Sequence, residues 1–554
     1  MRTRDAQHSW IVVAAAAVAA CVAAPTQADP VATQTEVLGP LTGHYARLHP
    51  ANIAPHPIAY YGTDLGYTYA HEGQLHFLFG DTSATERGDP IQASTGGAYD
   101  DGFGTIDLAS WKDGASITRS NLPLIRLGQN AGTTEMSAIN PGEPLELFKT
   151  PLAGFSNGVR EFALFYTSKP LGCRVDGDCA PGLACDTGLG YVGERTDVQG
   201  GLTFACIDGA AGCTPATLDP DPRLGTASGF CSVAGSASPP GRDAARLASV
   251  ALRNRVGMRD IRDPRLYATV GDWWTSRLSN VTTRTVQDFV PERGAGRSRQ
   301  DYRNAGATGA NRRVLLWGRP GFVGVAARDR ALPLYFAYAD MPVEPQPQWQ
   351  VRYFAGVDAR GTPRFVSSES EAVPLDLDAT QAGVQAAELH DVVDQMSVAW
   401  VESLGKWVML YGGGMIRLPA PPTLPNCGVL ELFTGPDCVD VAIGRGAVYM
   451  RTADDPWGPW SPPSDVIAGG DPNADPVADL YAPGGYLRHP RCAGPTCAPH
   501  TETPQAHADE YGFLYGVNII EQWIKPTATG VDMTWNASTW DPYRVILLRT
   551  HIAR

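Results

Sequence analysis

Residues 62–82 read GTDLGYTYAHEGQLHFLFGDT. Tyr67 and Tyr69 alternate before the central HEGQ, and Leu75, Phe77 and Phe79 alternate after it. Aromatic alternation around a short Gly-containing turn predicts a β-hairpin. With Glu72-Gly73 as a two-residue turn, His71 faces Gln74, and counting outward sets Asp64 directly opposite Asp81. Facing side chains of an antiparallel pair have Cβ atoms about 5 Å apart, and like charges there repel. Asp beside Gly also ends strands well through turn formation. On residue type alone, the two carboxylates therefore read first as strand terminators.

The same texture runs from about residue 45 to the C-terminus. REFALFYTS, RVLLWG, LPLYFAYAD, QVRYFAGVD, KWVMLYGGG, GAVYMRTA, YGFLYGVNI and YRVILLRTHI are short runs rich in Val, Tyr, Phe and Leu, bounded by Gly, Pro and Asp. Such runs are strands. Only 243–255 and 379–393 carry a helical pattern. Many strands at short spacing predict a sandwich, a barrel or a propeller, and a span of more than 400 residues favours the propeller. No exact repeat is visible, so the blades have diverged.

With 554 residues, 43% of them hydrophobic, the chain can bury a large core. A net charge of −14 argues against a nucleic-acid partner, which demands a basic footprint. A neutral polymer or small solute suits it better. MRTR followed by WIVVAAAAVAA reads as an export signal over residues 1–28, too short to span a bilayer. Cleavage after Ala28 is one reading. VAAC at 18–21 resembles a lipobox and offers the other, with Cys21 as a lipid anchor. No later apolar run is long enough for a transmembrane helix. The expected product is exported: secreted, periplasmic or an outer-surface lipoprotein, and monomeric.

Of eleven cysteines, ten remain after Cys21, as suits disulfides in an oxidising compartment. Cys173, Cys179, Cys185, Cys206, Cys213 and Cys231 fall in one window, and Cys427 with Cys438 and Cys492 with Cys497 form two local pairs. Connectivity within the six is open. A metal site is the rival reading, against which stands the lack of paired CxxC spacing. Residues 171–240 predict a disulfide-stapled module inserted between strands, either a partner-binding knob or a surface decoration. The basic loop 291–313 is either solvated or sits over a groove.

Four segments together resemble a bacterial family of unknown function. They are GTDLG with FGDT in 62–82, MSVAWVESLGKWVMLYGGG at 396–414, RTADDPWGPWSPPSDVI at 451–467 and STWDPYRVILLRTHI at 538–552. The resemblance implies an all-β, five-bladed β-propeller over 45–554, shaped like arabinanase- and levanase-type glycosidases. Some members are implicated as endo-acting enzymes on D-arabinan. Their site is the funnel at one face, lined by the first strand of each blade. The start of a blade's first strand and the end of its second share that face, so Asp64 and Asp81, which match the family's Asp positions, meet at its mouth.

Glycoside hydrolysis needs two carboxyl groups, one protonating the leaving oxygen and one activating water or attacking the sugar. Paired carboxylates also separate each other's pKa values. Asp64 and Asp81 can be that pair, or a base and its orienting partner. The family's middle motif often carries Glu where this chain has Gln395, in VVDQMSVAW, and Gln cannot donate a catalytic proton. Asp394 beside it would point to the opposite strand face. Asp100, Asp101, Glu135, Glu143, Glu510 and Asp541 are further acids, each also a turn former or solvated charge.

Trp457, Trp460, Trp535 and Trp540, with Tyr543, offer ring faces for sugar, although blade packing is the ordinary use of such aromatics. Trp540 beside Asp541 is the expected sugar platform, with Tyr543, Asp101 and Gln395 as further substrate-binding residues. His44, His49, His56, His71 and His76 could line the funnel or bind a metal, or be scattered turn residues. No GxSxG elbow, HExxH or Walker loop is present. No cofactor is expected. The resemblance admits a structural Ca²⁺ or Na⁺ at the axis, for which the sequence names no ligands. The expected function is an exported hydrolase of an arabinan-type polysaccharide. Its alternatives are a non-catalytic glycan-binding propeller and a scaffold acting through the Cys-rich insert.

Overall fold

The computed structural model describes residues 29–43, 62–82, 100–112, 114, 116–127, 149–170, 172–179, 183–186, 192–195, 206–207, 213–215, 229–233, 252–259, 267–286, 289, 313–319, 325–326, 333–341, 349–377, 393–413, 415–419, 438–441, 447–467, 513–540 and 543–554. Cys21, Cys427, Cys492, Cys497, Glu135, Glu143, Glu510, Asp541, His44, His49 and His56 lie outside them.

Five antiparallel sheets form the blades of a β-propeller. Named from the inner strand outward, blade I is Leu65–His71, Gln74–Thr82, Asp100–Asp107 and Arg126–Leu127. Blade II is Lys149–Ser156, Glu161–Pro170, Leu252–Arg259 and Tyr267–Thr275. Blade III is Asn280–Val286, Arg313–Arg319, Tyr335–Asp340, Val351–Val357 and Pro363–Val366. Blade IV is Val393–Val401, Lys406–Gly413, Val448–Ala453 and Ser464–Ile467. Blade V is Phe513–Pro526, Gly530–Trp540, Arg544–Ala553 and, as its outer strand, the N-terminal Val31–Pro40. The inner strands neighbour one another in a closed cycle from I to V and back to I.

Each blade is buried on both faces, which explains the strand composition. The two faces of the opening hairpin serve different interfaces. Leu75, Phe77 and Phe79 pack with Leu547 and Trp523 of blade V, while Tyr67, Tyr69 and Leu78 pack with Phe165 and Tyr267 of blade II. Three further apolar clusters fill the II–III, III–IV and IV–V interfaces. Trp457, Trp460 and Trp535 belong to these clusters and are buried, so they are blade packing and not sugar platforms.

Strand Val31–Pro40 pairs antiparallel with Arg544–Ala553 from Val31↔Ala553 to Pro40↔Ile546. The expected domain start at 45 omits this strand, whose VATQTEVLGP is too polar along its first half to signal a buried element. It joins the chain ends in one blade and closes the ring. Deleting residues 1–40 exposes the edge of Arg544–Ala553 and the apolar surface covered by Val37 and Leu38. Burial of those two side chains alone is worth about 3 kcal/mol. The deletion is expected to lower the denaturation midpoint by at least that equivalent, and an unchanged midpoint would contradict ring closure by this strand.

Residues 252–255, read as the end of a helix, are strand. Leu252–Arg259 pairs on both sides, with Glu161–Pro170 and Tyr267–Thr275, and this pairing overrides the helical periodicity. The other helical candidate, 379–393, lies outside the described residues except for Val393, which begins a strand. No α-helix occurs among the described residues, and hence none long and apolar enough to cross a membrane.

The Cys-rich segment lies between the second and third strands of blade II and holds two small three-stranded sheets. Gly172–Cys173, Leu183–Asp186 and Gly229–Val233 form one, and Val192–Arg195, Cys206–Ile207 and Cys213–Pro215 the other. Disulfides join Cys173 to Cys185 and Cys179 to Cys231. Cys173, Cys179 and Cys231 bring their sulfurs together because those bonds hold them, which takes the metal reading from these three. The side chains of Cys206, Cys213 and Cys438 are outside the described set.

Candidate functional site

The segment GTDLG is built around a bulge. Leu65 and Gly66 both adopt the left-handed region, with φ of 62° and 67°. For a bulky residue such as Leu65 this costs about 1–3 kcal/mol and persists only where surrounding contacts enforce it. Those contacts come from blade V. The Asn536 carboxamide donates to the carbonyls of Leu65 and Gly66, each at 3.1 Å. The Leu65 N–H donates to Ser538 Oγ at 2.6 Å. Asn518 in turn donates to Asn536 Oδ1 at 3.0 Å and to Thr68 Oγ1 at 2.9 Å. Position 66 must be glycine, because a Cβ there would stand 2.9 Å from Asn536 Nδ2.

The bulge corrects the expected register. His71 does face Gln74, but pairing slips by one between Tyr67 and Leu65, which faces Phe79. Asp64 consequently lies opposite Gly80, whose N–H donates to the Asp64 carbonyl at 3.1 Å, and not opposite Asp81. Counting residues outward from the turn could not reveal the bulge. Asp81 is the last residue but one of the second strand of the hairpin, at the same edge, and its side chain is outside the described set.

Asp64 is 9% exposed. Tyr515, on the inner strand of blade V, donates its phenolic proton to Asp64 Oδ2 at 2.8 Å. The carboxylate fits because residue 80 has no side chain: a Cβ there would come 2.3 Å from Asp64 Oδ1. Gly80→Ala is therefore expected to expel the Asp64 carboxyl from its seat. The change should abolish any function of Asp64 while costing the fold only a local adjustment, as read by activity or ligand binding against circular dichroism. Full function in Gly80→Ala would show that the seat is immaterial.

Two other sequence-chosen residues stand near this point. Tyr543 is buried and its carbonyl accepts from the Thr63 N–H at 3.3 Å. Gln395 is 4% exposed on the inner strand of blade IV. Its Oε1 would lie 3.2 Å from a Cβ on Gly516, the neighbour of Tyr515. Asp101, 3% exposed, is the second residue of the third strand of blade I, two strands out from the inner strand that Asp64 precedes. Asp394, Asp100 and Trp540 lie in strands, with side chains outside the described set. Residues that sequence reasoning missed are Tyr515, Ser538, Asn536 and Asn518. Their only signal was polar side chains within the strand runs YGVNI and WNAST, where Asn536 and Ser538 alternate and Tyr515 and Asn518 stand three apart.

His71 and His76 are not at this mouth. They flank the Glu72-Gly73 turn, at the other end of the hairpin, in a network between blades I and II. Glu161 Oε2 accepts from Tyr69 Oη at 2.7 Å and from Arg259 at 2.9 Å, and lies 3.1 Å from His76 Nδ1. Arg259 also sits over the Phe103 ring at 4.5 Å. Burial pushes His76 down to about 4, helped by the Arg259 charge. Burial favours protonated Glu161, but the positive surroundings and the Tyr69 hydrogen bond outweigh it and hold the carboxyl below its ordinary value.

No family model matches the chain, and no curated protein matches it. Solved structures do. The α-L-arabinofuranosidase of Podospora anserina, in complex with cellotriose, is 10% identical at a TM-score of 0.31, over 94% of this chain and 98% of that one. A GH62 hydrolase in complex with xylotriose is 9% identical at 0.29, over 94% and 97%. A protein of Bacteroides ovatus provisionally assigned as a hydrolase is 9% identical at 0.37, over 89% and 86%. The structural neighbours thus include glycoside hydrolases, and likeness at this level transfers no residue roles.

Proposed function

We propose that the chain is an exported glycoside hydrolase, endo-acting on an arabinan-type polysaccharide, with Asp64 as the carboxylate that activates water or attacks the sugar. The observation that carries this reading is the seating of Asp64. A left-handed Leu65–Gly66 pair, held by Asn536 and Ser538, presents the carboxyl at the start of an inner strand, and Tyr515 fixes one oxygen. Local strain that neighbouring elements sustain is characteristic of functional positions. A hydrogen bond from Tyr515 favours the ionised carboxylate, the form a base or nucleophile needs. Asp81, Asp101 and Asp394 are the candidates for the proton donor, and Trp540, Asp541 and Tyr543 for the sugar-binding wall. The disulfides suit an oxidising compartment outside the cytoplasm.

A second reading has its own observation. The carboxamide of Gln395, buried beside Gly516, cannot transfer a proton, which favours a glycan-binding propeller without catalysis. A polysaccharide panel including D-arabinan and L-arabinan separates the two. Release of reducing ends by the wild type and none by Asp64→Asn/Asp81→Asn supports the hydrolase. Retarded migration in a polysaccharide-containing gel without any product supports the binding protein.

A further inference from the structure

We propose that the guanidinium of Arg284 takes the place of a metal cation on the propeller axis, so that the channel binds no Ca²⁺ there. This inference stands apart from the carbohydrate reading. Arg284 lies on the inner strand of blade III, Asn280–Val286. Its Nε donates to the Val398 carbonyl, on the inner strand of blade IV. Its Nη2 donates to the Ile519 carbonyl at 3.3 Å and its Nη1 to Glu521 Oε2 at 3.4 Å, both on the inner strand of blade V. In the closed cycle of inner strands, blade IV stands between blades III and V. A side chain of blade III that bonds to both therefore reaches across the central channel.

The chain is shaped to receive it. Pairing of the blade V inner strand slips between Ile519↔Trp535 and Ile524↔Met533, and Glu521 lies in that bulge, outside the blade's ladder. The Ile519 N–H donates to Ser397 Oγ of blade IV at 3.0 Å, so both backbone groups of Ile519 engage other blades. The side chains of Arg284 and Glu521 are mostly buried. Arginine stays charged and offers only donors. A hard cation such as Ca²⁺ needs the complementary set, oxygens at about 2.3–2.6 Å. The Val398 and Ile519 carbonyls and the Glu521 carboxylate are oxygens of that kind, and guanidinium N–H groups point at all three. A metal ion at the same oxygens would meet those hydrogens and be repelled by the charge behind them. Among the described residues, the one convergence of three metal-ligating side chains is that of the disulfide cysteines, away from the axis. The Ca²⁺ or Na⁺ that the family resemblance admits at the axis therefore does not fit the residues present.

Crystals of the wild type and of Arg284→Ala soaked in terbium chloride, a mimic of Ca²⁺, test this through the anomalous difference map. The wild type is expected to give no peak within coordination distance of the Val398 or Ile519 carbonyl. Arg284→Ala frees both carbonyls and the Glu521 carboxylate and should gain a peak there. In solution, CaCl₂ should raise the unfolding midpoint of Arg284→Ala above its value in EDTA, and Arg284→Ala/Glu521→Gln should lose that rise. If Arg284→Ala does not fold, the wild-type map alone decides. A wild-type peak at these carbonyls, with the guanidinium turned aside, overturns the proposal. A wild-type midpoint that falls in EDTA, with Glu521→Gln indifferent to EDTA, overturns it too. A folded Arg284→Ala without a peak also does so, because its oxygens are then no cation site.

Discussion

Asp64→Asn is expected to lower kcat on a cleaved arabinan about 10³-fold while leaving the fold and the binding of oligosaccharide intact. The size follows from the role. Removing a positioned base or nucleophile forfeits about 10²- to 10⁴-fold, and the isosteric amide can still accept the Tyr515 proton that holds position 64 at 2.8 Å. Tyr515→Phe should cost less, because it loosens the carboxyl without removing it. A KM close to wild type with a collapsed kcat marks a group used in the transition state. Activity within a few fold of wild type in Asp64→Asn would exclude Asp64 from the chemistry.

Glu161→Met is expected to be the most destabilising single change in the I–II interface, by about 3 kcal/mol or more. Glu161 is the anion that compensates Arg259, and breaking a buried pair by removing one partner strands the other charge. The Glu161→Met/Arg259→Met double variant should regain much of that loss, since no charge is then stranded. The same network makes stability pH-dependent. His76 titrates at about 4 in the folded chain, against an ordinary 6.5. A depressed value means that protonation favours the unfolded chain. The contribution is whole above pH 6.5 and is lost as pH falls toward 4, at most about 3 kcal/mol by linkage. Glu161, also held low, adds to the loss below its unfolded value near 4.5. Urea midpoints at pH 7.5, 6 and 4.5 check this. His76→Leu should flatten the slope between 6.5 and 4, and an unchanged slope would show that other groups set it.

The hairpin and the all-β architecture were legible because blades are buried on both faces. That demands aromatic and β-branched residues at nearly every strand position, as in LHFLF and YRVILL. The ring-closing strand was not legible, because Thr33, Gln34 and Glu36 hide it among polar residues and its partner is more than 500 residues away. Asp64 could be chosen from its motif, but its partner could not. Counting from the turn paired it with Asp81, whereas the Leu65–Gly66 bulge sets it against Gly80, and the group that holds it, Tyr515, arrives from a different blade. Contacts made between blades leave no spacing in the sequence. The polar residues buried there, Asn518, Asn536 and Ser538, look like interruptions of apolar runs until the fold brings them to GTDLG. The network of Glu161 and Arg259 was missed for the same reason: Tyr69, His76, Glu161 and Arg259 come from four strands of two blades.

The account turns on whether the mouth around Asp64 is where sugar binds. A crystal structure of Asp64→Asn soaked with an arabino-oligosaccharide measures this directly. The account predicts a sugar ring within hydrogen-bond distance of position 64. A sugar lodged on the Cys-rich insert or at the hairpin-turn end beside His71, with the mouth empty, would contradict it.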